Sequence, residues 1–309
     1  MLAWWSPAGM MVGQVISCKW RSMEELTMGA DDFSALVSVD WLARHLSDAR
    51  VCVIDASWHL PSAKRDAVAE FGQGHIPGAV FFDIDRIVDP DAELPHTLPA
   101  AADFARAVGA LGISNDSQVV VYDTRGLFSA ARAWWMFRVF GHEQVSILDG
   151  GLPAWVRAGQ PLEAGDVPVE PRAFKARFQP DHVWRLEDVQ RNLGSGEAVM
   201  LDARPEGRFA GRDPEPRPGV RGGHVPGARN LPADRLVDPA TGRMHDTDTL
   251  AELFSGTDDK PVVCSCGSGV TACALAFALH RLGRDDVAVY DGSWTEWGGR
   301  DDTPVDTSD

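Results

Sequence analysis

Residues 266–271 read Cys-Gly-Ser-Gly-Val-Thr and follow directly on a short, mostly β-branched run, Val262-Val263-Cys264-Ser265. A cysteine at the end of a strand, with Gly267 and Gly269 close behind it, suits a thiolate nucleophile. The glycines free the backbone to curl, so that the N–H groups of residues 267–271 converge on one point. With the Cys266 sulfur at that point, the amides and the dipole of a following helix favour thiolate over thiol. A sulfur ionised in this way attacks without an adjacent histidine base. Small side chains serve the same end, because bulk would push the amides away from the anion.

Other readings of this stretch stay open at this point. Cysteine is commonly a small buried hydrophobe, and a strand, glycine turn and helix recur throughout α/β proteins. Cys264 lies inside the strand and is expected to point into packing, while Cys273 falls on the first turns of the helix. Their C-x-C-x6-C spacing with Cys266 is not a recognised zinc arrangement, so no metal is expected. Cysteine phosphatases also hold a thiolate in an amide loop, but they need an arginine about six residues on to clamp phosphate. Ala272 and Cys273 stand there instead.

The elements that must position the loop are written twice. "VCVIDASW" (51–58) matches "AVMLDARP" (198–205), and "GHIPGA" (74–79) matches "GHVPGA" (223–228). "QVVVYDTRGLFSAARAWWMF" (118–137) matches "PVVCSCGSGVTACALAF" (261–277), and "SILDGGLPAW" (146–155) matches "AVYDGSWTEW" (288–297). The offsets are 147, 149, 143 and 142 residues, which points to two copies of one globular unit. Each copy runs strand, Pro-Gly turn, strand, helix, strand, loop, helix, strand, Gly turn. "AADFARAVGALG" and "TDTLAELFSG" carry helical apolar spacing ahead of strands that lack polar alternation. The fold class is therefore α/β, with a parallel sheet flanked by helices on both faces in each copy. At the strand-to-loop corner, where such sheets bind ligands, the first copy has Asp123 and the second Cys266. Chemistry at that corner belongs to the second copy alone.

Bulk properties narrow the partners. The chain has 309 residues, 44% of them hydrophobic and 24% charged, enough for two domains that each bury a core. A net charge of −16 argues against nucleic acid or an acidic membrane surface as partner. Five cysteines are too few and too uneven for a disulfide scaffold and fit a reducing compartment, the cytoplasm. No apolar run approaches a membrane span. Residues 1–33 read as a loosely ordered extension, or as translation begun upstream of Met23 or Met28.

"CGSGVT" resembles the active-site loop of 3-mercaptopyruvate sulfurtransferases in the rhodanese family. The resemblance runs from about residue 35 through "DASWHLP", "RDAVAEFGQGHIPGAVFFDID", "LDGGLPAW", "RFAGRDPEPR", "GHVPGARNLP" and "DGSWTEWG". It implies two tandem rhodanese-like domains, a non-catalytic one over 34–160 and a catalytic one over 184–309, joined by a proline-dotted linker at 161–183. It implies a cofactor-free transfer of sulfur from 3-mercaptopyruvate through a Cys266 persulfide to thioredoxin, a small thiol or cyanide. Arg208 and Arg217 match the family's substrate-binding arginines and suit a carboxylate. Arg204, Arg212 and Arg221 are read as a solvated face. Ser268, His75 and Asp66 match a proposed proton relay, with a turn-capping role for His75 as the other reading. Thr271 is expected to cap the loop. Thiosulfate sulfurtransferases of the same fold typically carry basic residues where this loop has Gly267 and Ser268, which leaves thiosulfate as the alternative donor. A non-catalytic binding module is the alternative class.

Overall fold

The computed structural model describes residues 33–257 and 259–307. The extension expected over residues 1–33 lies outside the described residues but for Phe33. The first half runs β1 (Leu36–Val37), α1 (Val39–His45), β2 (Val51–Asp55), α2 (Ala67–Gln73), β3 (Val80–Phe81), α3 (Ala101–Ala110), β4 (Gln118–Tyr122), α4 (Ala130–Val139), β5 (Val145–Leu148) and α5 (Gly151–Arg157). The second repeats it as β6 (Val183–Trp184), α6 (Leu186–Ser195), β7 (Val199–Asp202), α7 (Glu206–Phe209), β8 (Arg229–Asn230), α8 (Thr247–Leu253), β9 (Val262–Ser265), α9 (Ala272–Arg281), β10 (Val287–Tyr290) and α10 (Ser293–Gly299). Among the described residues these strands form two sheets, ordered β1-β5-β4-β2-β3 and β6-β10-β9-β7-β8. Every strand pair is parallel.

The missing polar alternation has the expected cause. Successive side chains of a strand point to opposite faces, and here both faces are covered. Val119 and Val121 of β4 enter the core that holds Phe104 of α3 and Phe137 of α4. Val120 and Tyr122 enter the opposite one, with Trp41 of α1 and Trp155 of α5. In β9, Val262 and Cys264 face the first of these cores, while Val263 meets Val189 of α6 and Trp294 and Trp297 of α10. Each fully buried valine or phenylalanine contributes roughly 1.5–3 kcal/mol relative to exposure.

The core below α4 and α9 is continuous between the halves. Trp134 of α4 meets Phe277 of α9 edge-on, with ring centroids 4.9 Å apart, and the described residues form one compact unit. The linker is aperiodic, as its sequence indicates, but it is anchored. Glu163 pairs with His75, the Arg172 amide donates to Gly109 O at 2.8 Å, and Phe174 packs edge-on against Phe104 and Phe137. Among the described residues no helix is long and apolar enough to cross a membrane.

Candidate active site between the two halves

Cys266 leaves the carboxyl end of β9, and the turn into α10 grips it. Its amide donates to Ser293 Oγ at 3.2 Å and its carbonyl accepts from the Trp294 amide at 2.9 Å. The next carbonyl, Gly267 O, accepts from the amide and hydroxyl of Thr295 at 2.8 and 2.6 Å. The two glycines differ in how tightly the fold constrains them: at Gly267 only a flexible side chain is near, whereas Gly269 is set by its backbone. A Cβ on Gly267 would stand 3.0 Å from Arg208 Nη2. Gly269 has φ +75, and a Cβ there would meet Asp291 O at 2.8 Å and Arg132 Nη1 at 2.9 Å. Val270 buries its side chain, and its carbonyl accepts from the Cys273 amide at 3.3 Å. The Thr271 side chain makes no capping bond to α9, so the hydroxyl cap expected of it is not formed. Cys264 and Cys273 are fully buried, and burial pushes both thiols up from their ordinary range.

The matching corner of the first half shows what such a loop holds. Asp123 Oδ1 accepts from the amides of Arg125 and Gly126, both at 2.7 Å, and Oδ2 from those of Phe128 and Ala130 at 2.8 and 2.9 Å. Four backbone donors thus enclose one anion. In the second half the counterparts of the first three are Ser268, Gly269 and Thr271. Among the described residues, no carbonyl or side chain accepts from these amides. The expected convergence on an anion is therefore seen around Asp123; around Cys266 the same donors stand uncommitted.

The side chains that meet Ser268 are not the ones expected. Ser268 Oγ lies 3.0 Å from Nδ1 of His96, and His96 Nε2 lies 2.8 Å from Asp85 Oδ1. The hydrogen bond from His96 is the main cause that holds the Asp85 carboxyl below its ordinary range. With Asp85 ionised, Nε2–H donates to it and Nδ1 is left to accept the Ser268 hydroxyl proton. Trp58 steadies both partners, donating to Asp85 Oδ2 at 3.0 Å and meeting the His96 ring edge-on at 4.9 Å.

His75 and Asp66 lie elsewhere, and among the described residues neither bonds to Ser268. His75 is fully buried, stacked on Phe71 at 4.1 Å, with Nδ1 donating to Phe71 O at 2.8 Å. His224 does the same in the second half, on Phe209 at 3.6 Å and to Phe209 O at 2.9 Å. Asp66 is the N-cap of α2, accepting from the Ala69 amide at 3.1 Å. The His75 ring thus closes the last turn of α2 rather than the Ile76-Pro77-Gly78 turn expected as its other role, and Asp66 caps the start of the same helix.

The duplication places His96. Leu98 N donates to Asp291 Oδ2 at 2.9 Å, and Met244 N donates to Asp149 Oδ1 at 2.9 Å. Each half thus lays a loop over the other half's cysteine-position corner. Two residues before these amides stand His96, with φ +62, and Gly242, with φ +66. One such turn is a bare glycine facing the Asp123 loop; the other carries an imidazole into the Cys266 loop.

The arginines separate into three kinds. Arg204 is not on a solvated face. It is 1% exposed, binds Asp202 and Glu215 at 2.7 and 2.8 Å, and lies over Trp294. Nor is Arg221, which donates to Gly298 O, Trp297 O and Thr303 Oγ1. Both guanidiniums replace water with carbonyl and carboxylate partners, so burial costs them little. Arg212 is exposed, as expected, and pairs with Glu206. Arg208 gives Nε and Nη2 to the buried Glu215 carboxylate and keeps Nη1 uncommitted among the described residues. Arg217 makes no ion pair or hydrogen bond among the described residues. Burial holds its guanidinium below the ordinary range, while Cys266 and Asp85 pull the other way. Arg217, His96, Asp85 and Thr295 line a cavity of about 650 Å³ between the halves, while Cys266 itself is 2% exposed.

Comparison with known proteins identifies the two repeated halves. The model of the rhodanese-like domain matches residues 38–158 and again 185–300. The chain is 46% identical over 274 residues to the 3-mercaptopyruvate sulfurtransferase of Escherichia coli (strain K12), covering 87% of this chain and 97% of that one. It is 42% identical over 272 residues to the thiosulfate sulfurtransferase of Gallus gallus, covering 85% and 93%. Among solved structures, the crystal structure of SseA from Escherichia coli superposes with a TM-score of 0.77 at 43% identity, over 84% of this chain and 99% of that one.

Proposed function

The chain belongs to the rhodanese family, and on that premise we propose that it transfers sulfur from 3-mercaptopyruvate to a thiol or cyanide through a persulfide on Cys266, releasing pyruvate. Arg217, with the Nη1 edge of Arg208, holds the donor's carboxylate. The Cys266 thiolate attacks the donor sulfur, an S–S bond forms, and the donor's C–S bond breaks with its electrons left on carbon as the pyruvate enolate. That carbanion takes a proton from Ser268, and His96, steadied by Asp85, returns to Ser268 the proton lost by the donor thiol. The net result is that the hydrogen on sulfur ends on carbon, and Cys266 carries S–S⁻. An acceptor thiolate then attacks the outer sulfur and leaves as its own persulfide, or cyanide leaves as thiocyanate, and the Cys266 thiolate returns.

The uncommitted amides support the persulfide step. The outer sulfur of a cysteine persulfide is three bonds from Cα, as are the carboxylate oxygens of Asp123 with their four amide donors. Asp123 is thus a permanent stand-in for that intermediate in the half that makes none.

One observation carries the choice of donor, the Ser268–His96–Asp85 chain beside the cysteine. An enolate has to be protonated, whereas thiosulfate leaves as sulfite and needs no delivered proton. The test compares the two donors on one preparation with cyanide as acceptor; kcat/KM is expected to favour 3-mercaptopyruvate by more than about tenfold, the scale of one lost charge-matched contact. A preference for thiosulfate overturns the donor, and no sulfur uptake from either favours a binding module. A small thiol, thioredoxin or cyanide serves as acceptor. Among the described residues the cysteines at 52, 264, 266 and 273 are free, which suits a reducing compartment, the cytoplasm.

Arg217→Met is expected to raise KM for 3-mercaptopyruvate by roughly 10–100-fold, since a hydrogen bond to a charged group is worth about 1.5–3 kcal/mol. The change in kcat should be smaller. Steady-state kinetics with varied donor checks this; an unchanged KM removes Arg217 from the carboxylate.

A further inference from the structure

We propose that Arg132 and Asp291 form a clamp that holds His96 in a left-handed backbone conformation and thereby aligns the relay, which makes both positioning residues. The inference rests on the sulfurtransferase reading above. His96 has φ +62, a region that a residue with a side chain keeps only under constraint. Its counterpart Gly242 has φ +66 and needs none.

The constraint on His96 comes from two bonds. Arg132 Nη2 donates to the His96 carbonyl. Asp291 Oδ2 accepts from the Leu98 amide at 2.9 Å, so the turn is held on both sides. Arg132 and Asp291 are themselves joined, Nη2 to Oδ1 at 2.8 Å. Through Nη1 the same guanidinium donates to Gly269 O at 3.2 Å, so the cysteine loop and the relay histidine hang on one planar group. Arg132 is 1% exposed and its Cζ lies 4.5 Å from the Trp135 ring centroid, which fixes the direction of the fork. Neither residue lines the cavity.

The other half supplies an internal comparison. The position matching Arg132 there is Leu275, although Asp149 still accepts from the Met244 amide. The guanidinium is present only on the side where the left-handed residue carries a side chain.

The test uses Asp291→Asn, which is isosteric and leaves Arg132 its carbonyl partners, and Arg132→Lys as a second variant. Persulfide formation is followed in single turnover with 3-mercaptopyruvate and with thiosulfate. For Asp291→Asn the rate ratio between the two donors is expected to fall about tenfold, a part of the ~10²–10⁴ that loss of the whole proton-transfer group would cost. In a His96→Ala background the same substitution should leave that ratio where His96→Ala put it, because the clamp acts through His96. Equal losses with both donors, or an effect that simply adds to His96→Ala, would show a merely structural ion pair and overturn the clamp. Failure of the underlying reading looks different: the unsubstituted chain then takes up no sulfur from either donor.

Discussion

Cys266→Ser is expected to lose sulfur transfer from every donor, by at least about 10⁴-fold, because a serine hydroxyl stays protonated and cannot carry an outer sulfur. Two readouts check it. Thiocyanate production gives the rate, and intact-protein mass after donor treatment gives the carrier, as an addition of about 32 Da for one sulfur on a thiolate. In the unsubstituted chain that mass should map to the peptide holding Cys266. Cys264→Ser and Cys273→Ser should keep it, since both thiols are fully buried and pushed up by that burial. Sulfur found on Cys264 or Cys273, or a Cys266→Ser variant with more than a few per cent of the rate, would remove Cys266 as the carrier.

The second large effect separates the two candidate relays. His96→Ala is expected to lower kcat with 3-mercaptopyruvate by roughly 10²–10⁴, the range typical of general acid–base groups, and to affect thiosulfate far less. Asp85→Asn should act in the same direction and more weakly, because it leaves the imidazole in place but removes the carboxylate that fixes its tautomer. His75→Ala serves as the contrast. It removes one of the two donors to Phe71 O, the Gly74 amide remaining at 3.2 Å, and opens the stack on Phe71, at a cost of about 1–3 kcal/mol in stability, with the ratio between donors unchanged. A donor ratio that follows His75 and not His96 would return the relay to its sequence-based membership. Kinetics with both donors and a urea melt on each variant suffice.

The misplacement of His75 has a physical cause, and the sequence held a sign of it. His75 and His224 occupy the same position in both copies, and each donates Nδ1 to the carbonyl of an aromatic four or fifteen residues back. A residue repeated in the half without the cysteine serves the fold that both halves share. His96 had the opposite profile. It stands in "LPHTLP", an aperiodic loop, against a glycine in the other half, and neither periodicity nor motif marks it. Arg204 and Arg221 depart from their expected exposure for a related reason. A cluster of charges around prolines looks solvated until Asp202, Glu215 and the carbonyls of Gly298 and Trp297 are seen around it.

By itself the amino-acid order determined the two copies, their parallel sheets, the glycine corner after β9 and the exchange of Asp123 for Cys266. These follow from local rules: side-chain alternation along a strand, helical spacing, and backbone freedom at glycine. The tertiary structure alone decided which histidine meets Ser268, 172 residues away, and which arginine keeps its fork uncommitted. Such meetings depend on how two packed surfaces dock. Here each half reaches across to the other's corner, through Leu98 onto Asp291 and Met244 onto Asp149, and no spacing within one half encodes that reach.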